Sequence, residues 1–190
     1  MEQYTQWISP RHPFFSYTGR IDFSNPEQPC FIFAGSSVTF RFRGTGFYVK
    51  LKNYHSCYHN YLGFVLDGQV QEKIEITEHN TEIILTLADG LIDEIHEATL
   101  YKCQDASHYF DFLGIFTSED FHTLPAAKKP SRRIECYGDS VSAGEVSEAV
   151  AYTGKPDPKG HDGIYSNSWF SYAFITARKL HAELHDIAQG

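Results

Sequence analysis

The first two thirds of the chain are a succession of short segments in which apolar and polar side chains alternate, separated by glycine-marked turns. In Val38-Thr39-Phe40-Arg41-Phe42-Arg43 the apolar side chains fall on one face of an extended backbone and the polar ones on the other. Segments rich in β-branched, aromatic or leucine residues recur at 30–34, 47–51, 61–66, 72–76, 81–87, 94–101 and 110–116. Gly44-Thr45-Gly46, Asp67-Gly68 and Asp89-Gly90 lie between them. Asp67-Gly68 follows Val65-Leu66 directly and supplies the positive-φ residues that a two-residue hairpin needs. About eight short strands at this spacing predict a two-sheet sandwich of jelly-roll form over residues 1–121.

The pattern changes at 122–131. There Leu124-Pro125 and Lys128-Lys129-Pro130 make a polar, proline-marked linker. Beyond it the chain reads strand, turn, loop, helix, strand. Arg133-Ile134-Glu135-Cys136-Tyr137 is a strand signal that runs into Gly138-Asp139-Ser140 and the small residues Val141-Ser142-Ala143-Gly144. Residues 149–163, rich in Gly, Pro, Asp and Lys, predict a surface loop. Ser166-Asn167 offers N-caps for a helix over 168–182, with Phe170, Phe174, Ala177 and Leu180 at helical spacing. A second buried strand is expected at 184–188, joined to the first by a right-handed parallel crossover. Residues 132–190 therefore read as the N-terminal part of an α/β domain. Fifty residues follow Ser140, against ~100–200 for a whole domain, so the α/β segment is expected to be truncated.

Composition narrows the partners. The formal net charge of −8 argues against nucleic acid, because little here would neutralise phosphates. The basic run Lys128-Lys129-Pro130-Ser131-Arg132-Arg133 reads as linker and strand start, not as a binding patch. Met1-Glu2-Gln3-Tyr4 shows no basic or apolar leader pattern, and no apolar run approaches the ~18 residues of a membrane span. Cys30, Cys57, Cys103 and Cys136 are widely spaced, which fits reduced thiols and a cytoplasmic setting.

Ser140, on a tight turn at the end of a core strand, occupies the position where α/β hydrolases place a nucleophile. The plainer alternative is a turn serine that caps the following segment. A serine hydroxyl needs a base, and none is evident nearby in the sequence. His161, in the loop after the turn, could in principle approach Ser140, but a solvated loop histidine is expected instead. His55, Cys57 and His59 could reach one metal from an extended strand, but three ligands make a weak signal and a polar loop is expected instead. His181 and His185 lack the glutamate of the zinc-protease pattern, since Ala182 stands in its place. No metal or cofactor is expected. The 152–165 loop carries Asp157, His161 and Asp162, which could meet a polar sugar or simply face solvent.

Gly138-Asp139-Ser140 after a jelly-roll-like region resembles the first motif of the GDSL or SGNH hydrolases, with Val141 where the motif's name has leucine. More narrowly, the chain resembles the front half of a family-2 carbohydrate esterase, of the acetyl xylan esterase kind. The matching stretches are Tyr17-Thr18-Gly19-Arg20-Ile21-Asp22-Phe23, Val65-Leu66-Asp67-Gly68, Gly90-Leu91 with His96, and Arg132-Arg133-Ile134-Glu135 leading to the turn. The resemblance implies that Ser140 is the nucleophile of sugar deacetylation, that Asp139 supports the turn, and that the backbone N–H of Gly190 serves the oxyanion hole. The substrate it implies is an acetylated oligo- or polysaccharide. The family's Asn and His blocks have no counterpart in these residues, so a C-terminal half or a partner chain is expected to complete the site, and little activity is expected without it. The alternative is a non-catalytic carbohydrate-binding sandwich with a vestigial hydrolase segment.

Overall fold

A computed structural model describes residues 6–189. Among the described residues thirteen strands form the sandwich: β1 (Gln6–Ile8), β2 (Ser16–Thr18), β3 (Ile21–Asp22), β4 (Cys30–Phe31), β5 (Ser37–Gly44), β6 (Phe47–Tyr54), β7 (Asn60–Leu66), β8 (Gln69–Val70), β9 (Ile74–Ile76), β10 (Thr81–Ala88), β11 (Glu94–Lys102), β12 (Tyr109–Thr117) and β13 (His122–Leu124). One antiparallel sheet runs β10-β6-β12-β4-β3, with β1 also on β12. The other runs β13-β5-β11-β7-β8, with β2 on β5 and β9 on β7. Then come β14 (Arg132–Gly138), α1 (Ser140–Ala143), α2 (Tyr172–Lys179) and β15 (Ala182–Ala188). β14 and β15 pair in parallel, Arg132 opposite Ala182 through Gly138 opposite Ala188. The fold is thus an all-β jelly-roll sandwich followed by an α/β segment, as the sequence predicts.

The alternation decides which side chains fill the sandwich. In β5 Val38, Phe40 and Phe42 are wholly buried, and Phe47, Val49 and Leu51 of β6 meet them from the other sheet. Phe31, Phe110 and Phe112 complete an aromatic core in which the Phe31 and Phe110 rings stack at 5.0 Å. Such pairs add about 0.5–1.5 kcal/mol each beyond area burial. Asp67 and Gly68 both take positive φ at the β7–β8 hairpin, the geometry expected of that dipeptide.

Some boundaries differ from expectation. Five short strands (β1, β2, β3, β8 and β13) carry too few residues to show a period. β13 lies inside the stretch read as linker, where it pairs with β5. The helix expected over 168–182 is split into a 3-10 turn, Ser168–Phe170, and α2. Ser171 takes extended backbone between them and caps α2, its hydroxyl accepting from the Phe174 N–H at 3.3 Å.

β7 is buried on both faces. Leu62 and Phe64 point into the sandwich, while Tyr61 and Val65 join Tyr101 and Cys103 under Trp169. The α/β segment therefore packs on the outer face of the second sheet. Gly63 makes room there: a Cβ on it would come within 2.0 Å of the Tyr101 ring. No helix among the described residues is long and apolar enough to cross a membrane.

Gly63→Ala is expected to destabilise by about 1–3 kcal/mol through overpacking, although alanine recovers about 0.5–1 kcal/mol of backbone entropy. Urea unfolding checks the sign, and an unchanged midpoint would show that Tyr101 can move without loss. Residues 1–131 alone are expected to unfold in one cooperative transition with β-type circular dichroism. A broad melt would mean that the sandwich needs its cover.

Candidate active site

β14 delivers the turn and α1 begins at Ser140 itself. Asp139 is the N-cap: its carboxylate accepts the Val141 N–H at 3.0 Å, and its carbonyl accepts the buried Ser142 hydroxyl at 2.9 Å. An N-cap of this kind is worth about 1 kcal/mol. Gly138 is required by close approach, since a Cβ there would lie 2.0 Å from Ser142 Oγ. Gly144 ends α1 in the left-handed region, φ 85°.

Ser140 is half-buried at the edge of a cleft of about 180 Å³. Ala143 and Glu145 flank it on the elbow side. The opposite wall comes from the sandwich, as Cys57 and Tyr58 of the β6–β7 loop and Gln104, Asp105 and His108 of the β11–β12 loop. This second loop is rigidly held. Lys102, wholly buried at the end of β11, donates its ammonium to the carbonyls of Gln104 and Asp105. Burial pulls the Lys102 pKa down to about 7, with Asp105 opposing. The Gln104 amide accepts the Tyr61 N–H at 2.9 Å and donates to the His59 carbonyl at 3.1 Å. His108 is buried beside the Asp105 carboxylate, Nδ1 to Oδ1 3.5 Å, with the Tyr58 ring parallel to it at 6.0 Å.

No imidazole among the described residues hydrogen-bonds the Ser140 hydroxyl. His161 accepts the Gly163 N–H at 3.2 Å, and its ring lies 6.2 Å from that of Tyr58 in the cleft wall, without a hydrogen bond to Ser140. His59 binds Glu75 at 2.7 Å and His55 packs on His79, so the His-Cys-His run belongs to a polar loop. Among the described residues no cluster of His, Cys, Asp and Glu has metal-holding geometry. Asp157 and Asp162 are exposed. Gly190 lies outside the described residues. The sandwich wall of the cleft was missed from sequence, since nothing in 104–108 departs from an ordinary strand connection.

Behind the elbow sits a second carboxyl. Asp186 of β15, opposite Cys136, is buried with neither oxygen hydrogen-bonded among the described residues. Burial pushes its pKa up to about 6, and Cys136 opposes the shift.

This assembly is a jelly roll that supplies one wall of a cleft whose other wall carries a strand-turn serine. Residues 17–126 match the family model described as "Carbohydrate esterase 2 N-terminal". The chain belongs to carbohydrate esterase family 2. It is 34% identical over 181 residues to the cellulase/esterase CelE of Acetivibrio thermocellus, covering 93% of this chain and 20% of that protein. It superposes on a family two carbohydrate esterase from Clostridium thermocellum, solved in complex with cellohexaose, with a TM-score of 0.78 and 31% identity, over 92% of this chain and 51% of the other. An acetyl xylan esterase from the rumen bacterium Butyrivibrio proteoclasticus shares the fold at a TM-score of 0.81 and 21% identity, over 97% of this chain and 49% of that one. The chain thus spans about half the length of these solved relatives and a fifth of the curated one.

A raised carboxyl pKa means that the folded state holds the Asp186 proton more tightly than the unfolded chain does. The contribution of Asp186 to stability is therefore complete below pH 4 and lost as pH rises towards 6. Asp186→Asn is accordingly expected to gain stability relative to the parent between pH 4 and 7, by at most about 3 kcal/mol at about 1.4 kcal/mol per pKa unit. Urea midpoints of both proteins across that range test this. A constant difference between them would show that Asp186 ionises normally.

Proposed function

We propose that the chain is the nucleophile-bearing part of an SGNH-type carbohydrate esterase that removes acetyl groups from an oligo- or polysaccharide. The observation that carries this reading is Ser140 on a capped strand-turn at the edge of a cleft shared with the sandwich. In the reaction the Ser140 Oγ–H bond breaks and Oγ bonds to the acetyl carbon. The ester C–O bond then breaks, and the sugar oxygen leaves with a proton. Water releases acetate from the acyl-serine in the second half. Asp139 positions the turn. The Ser140 N–H, at the first position of α1, has no intrahelical acceptor and can donate to the oxyanion. The Gly190 N–H is its proposed companion.

Support for a saccharide substrate comes from the family itself and from the solved relative that holds cellohexaose. The net charge of −8 disfavours nucleic acid as a partner. Four free thiols support a reducing, cytoplasmic setting as part of the same proposal. The base that takes the serine proton is proposed to come from a C-terminal half or a partner chain, because no described imidazole is bonded to Ser140. The reading of a purely carbohydrate-binding module is favoured by that same lack of a base and by the sandwich residues in the cleft.

The 190-residue chain is expected to hydrolyse an aryl acetate only weakly, lacking general-base help worth ~10²–10⁴-fold. Fusing it to the second half of a solved relative is expected to restore a rate increase of that order, and Ser140→Ala to abolish it. A fused enzyme that stays active after Ser140→Ala would remove the serine from the mechanism. A fused protein that binds cellohexaose but turns over no acetyl ester would favour the binding module.

A further inference from the structure

On the far side of the sandwich from the α/β segment, the outer face of the first sheet carries a groove of about 460 Å³. Small-ligand sites usually measure ~300–1,000 Å³. Strand alternation decides what lines it. Ile8, Ile115 and Val49 point into the core, so Trp7 and Phe116, paired across β1 and β12, stand outward. Lys50 of β6 and Glu82 of β10 stand on the same face, and Glu27 and Gln28 of the β3–β4 connection also line the groove.

Trp7 is 49% exposed and yet fixed. Its indole N–H donates to the Leu113 carbonyl at 3.0 Å. Gly114, at φ 99°, leaves the space for it, since a Cβ there would lie 2.8 Å from Trp7 Nε1. Phe116 beside it is half-buried. A ring already held in place loses little further freedom when a ligand covers it. The groups around the rings are polar and balanced. Lys50 pairs with Glu82 at 2.7 Å, their side chains 29% and 53% exposed. Glu27 pairs with Arg11 at 3.4 Å and accepts the Ser9 hydroxyl at 2.8 Å. The exposed Gln28 amide has no partner among the described residues. Each carboxylate is matched by a cation, so no net field selects a charged ligand. Charge this close to the rings also argues against the centre of a protein interface, which is depleted in charged residues.

We propose that this groove is a second saccharide site, separate from the serine cleft, for a neutral oligo- or polysaccharide chain. A pyranose has a face of C–H groups and an edge of hydroxyls. The face packs on Trp7 and Phe116, whose rings offer large apolar area. The hydroxyls meet the Gln28 amide, the Lys50 ammonium and the Glu82 carboxylate, the last two through charge-assisted hydrogen bonds. The assignment does not rest on the role of Ser140.

The test is a titration of the 190-residue chain followed by the Trp7 indole N–H resonance, identified by its loss in Trp7→Phe. Cellohexaose, xylohexaose and mannohexaose are the neutral probes and trigalacturonate the acidic one. At least one neutral probe is expected to shift the resonance saturably, with trigalacturonate roughly tenfold weaker or without effect. Trp7→Ala is expected to weaken that neutral probe roughly tenfold, read from the Gln28 side-chain amide resonance. If this variant does not fold, Gln28→Ala is expected to weaken the probe about threefold or more, read from Trp7. Tyr58→Ala and Ser140→Ala, both in the serine cleft, are expected to leave the Trp7 response unchanged. The assignment is overturned if no neutral probe moves Trp7, if trigalacturonate binds as well, or if the Trp7 and Gln28 variants bind like the parent. Loss of the response in Tyr58→Ala would move the site to the serine cleft, and a Trp7-dependent dimer in sedimentation would give the face to a second copy of the chain. Ester hydrolysis by the fused enzyme is read separately, so failure of the esterase reading and failure of this one are distinguishable.

Discussion

The arrangement of the cleft depends on the second sheet being covered on its outer face. A sandwich sheet normally turns that face to water, and its strands alternate accordingly. Here β7 and the end of β11 are buried on both sides, and the cover is fastened by a polar chain through the interface. Lys73 donates to Glu148 Oε2 at 2.5 Å, and Asn167 donates to Glu148 Oε1 at 2.8 Å. The Asn167 oxygen accepts from Tyr101 OH at 3.0 Å and from the Trp169 N–H at 3.1 Å. Ser168 binds the Cys103 carbonyl through its N–H and the Lys102 carbonyl through its hydroxyl. Every member is satisfied by another, so the network fixes position as well as adding stability.

That fastening places the elbow against the sandwich loops. Asn167 and Ser168 anchor the turn beside Gly144, whose carbonyl accepts the Asn167 N–H at 3.0 Å, and α1 is thereby held over the Lys102-braced loop. Lys102 links the two levels: it ends β11, is fully buried, and bonds the carbonyls of the residues that form the far wall of the cleft. A lysine withdrawn from water is tolerated only where its donors are used. The loop it braces therefore has little freedom, and the cleft is pre-formed on that side.

Sequence made the strands legible where a face was long enough to show a period. β5, β6, β11 and β12 each run to eight or nine residues, and all were expected within three residues of their ends. Two- and three-residue strands such as β3 and β8 have no period to read and exist because a neighbour's edge offers hydrogen bonds. The elbow was legible because Gly138, Asp139 and Ser140 each answer a local requirement of the backbone. The sandwich wall was not, because Gln104 is held by partners more than forty positions away, Tyr61 and His59. The split of the long helix illustrates the same limit. Ser171 reads as an indifferent helix residue until its own hydroxyl is seen capping α2.

Lys128-Lys129-Pro130-Ser131-Arg132-Arg133 shows what a charge run hides. In sequence it is the one basic tract of an acidic chain, best explained by solvent. In the fold Lys129 and Arg133 converge on a single buried carboxylate, Glu183, from the linker and from the strand beside it. Removing either cation would leave Glu183 partly paired, whereas removing Glu183 would leave two positive groups without their shared partner. The pairing therefore ties the linker to β15 and sets where the α/β segment begins. Arg178 stands on α2 and shares none of these bonds. Its guanidinium is held in place by the Trp169 ring and carbonyl, which orient the charge without neutralising it.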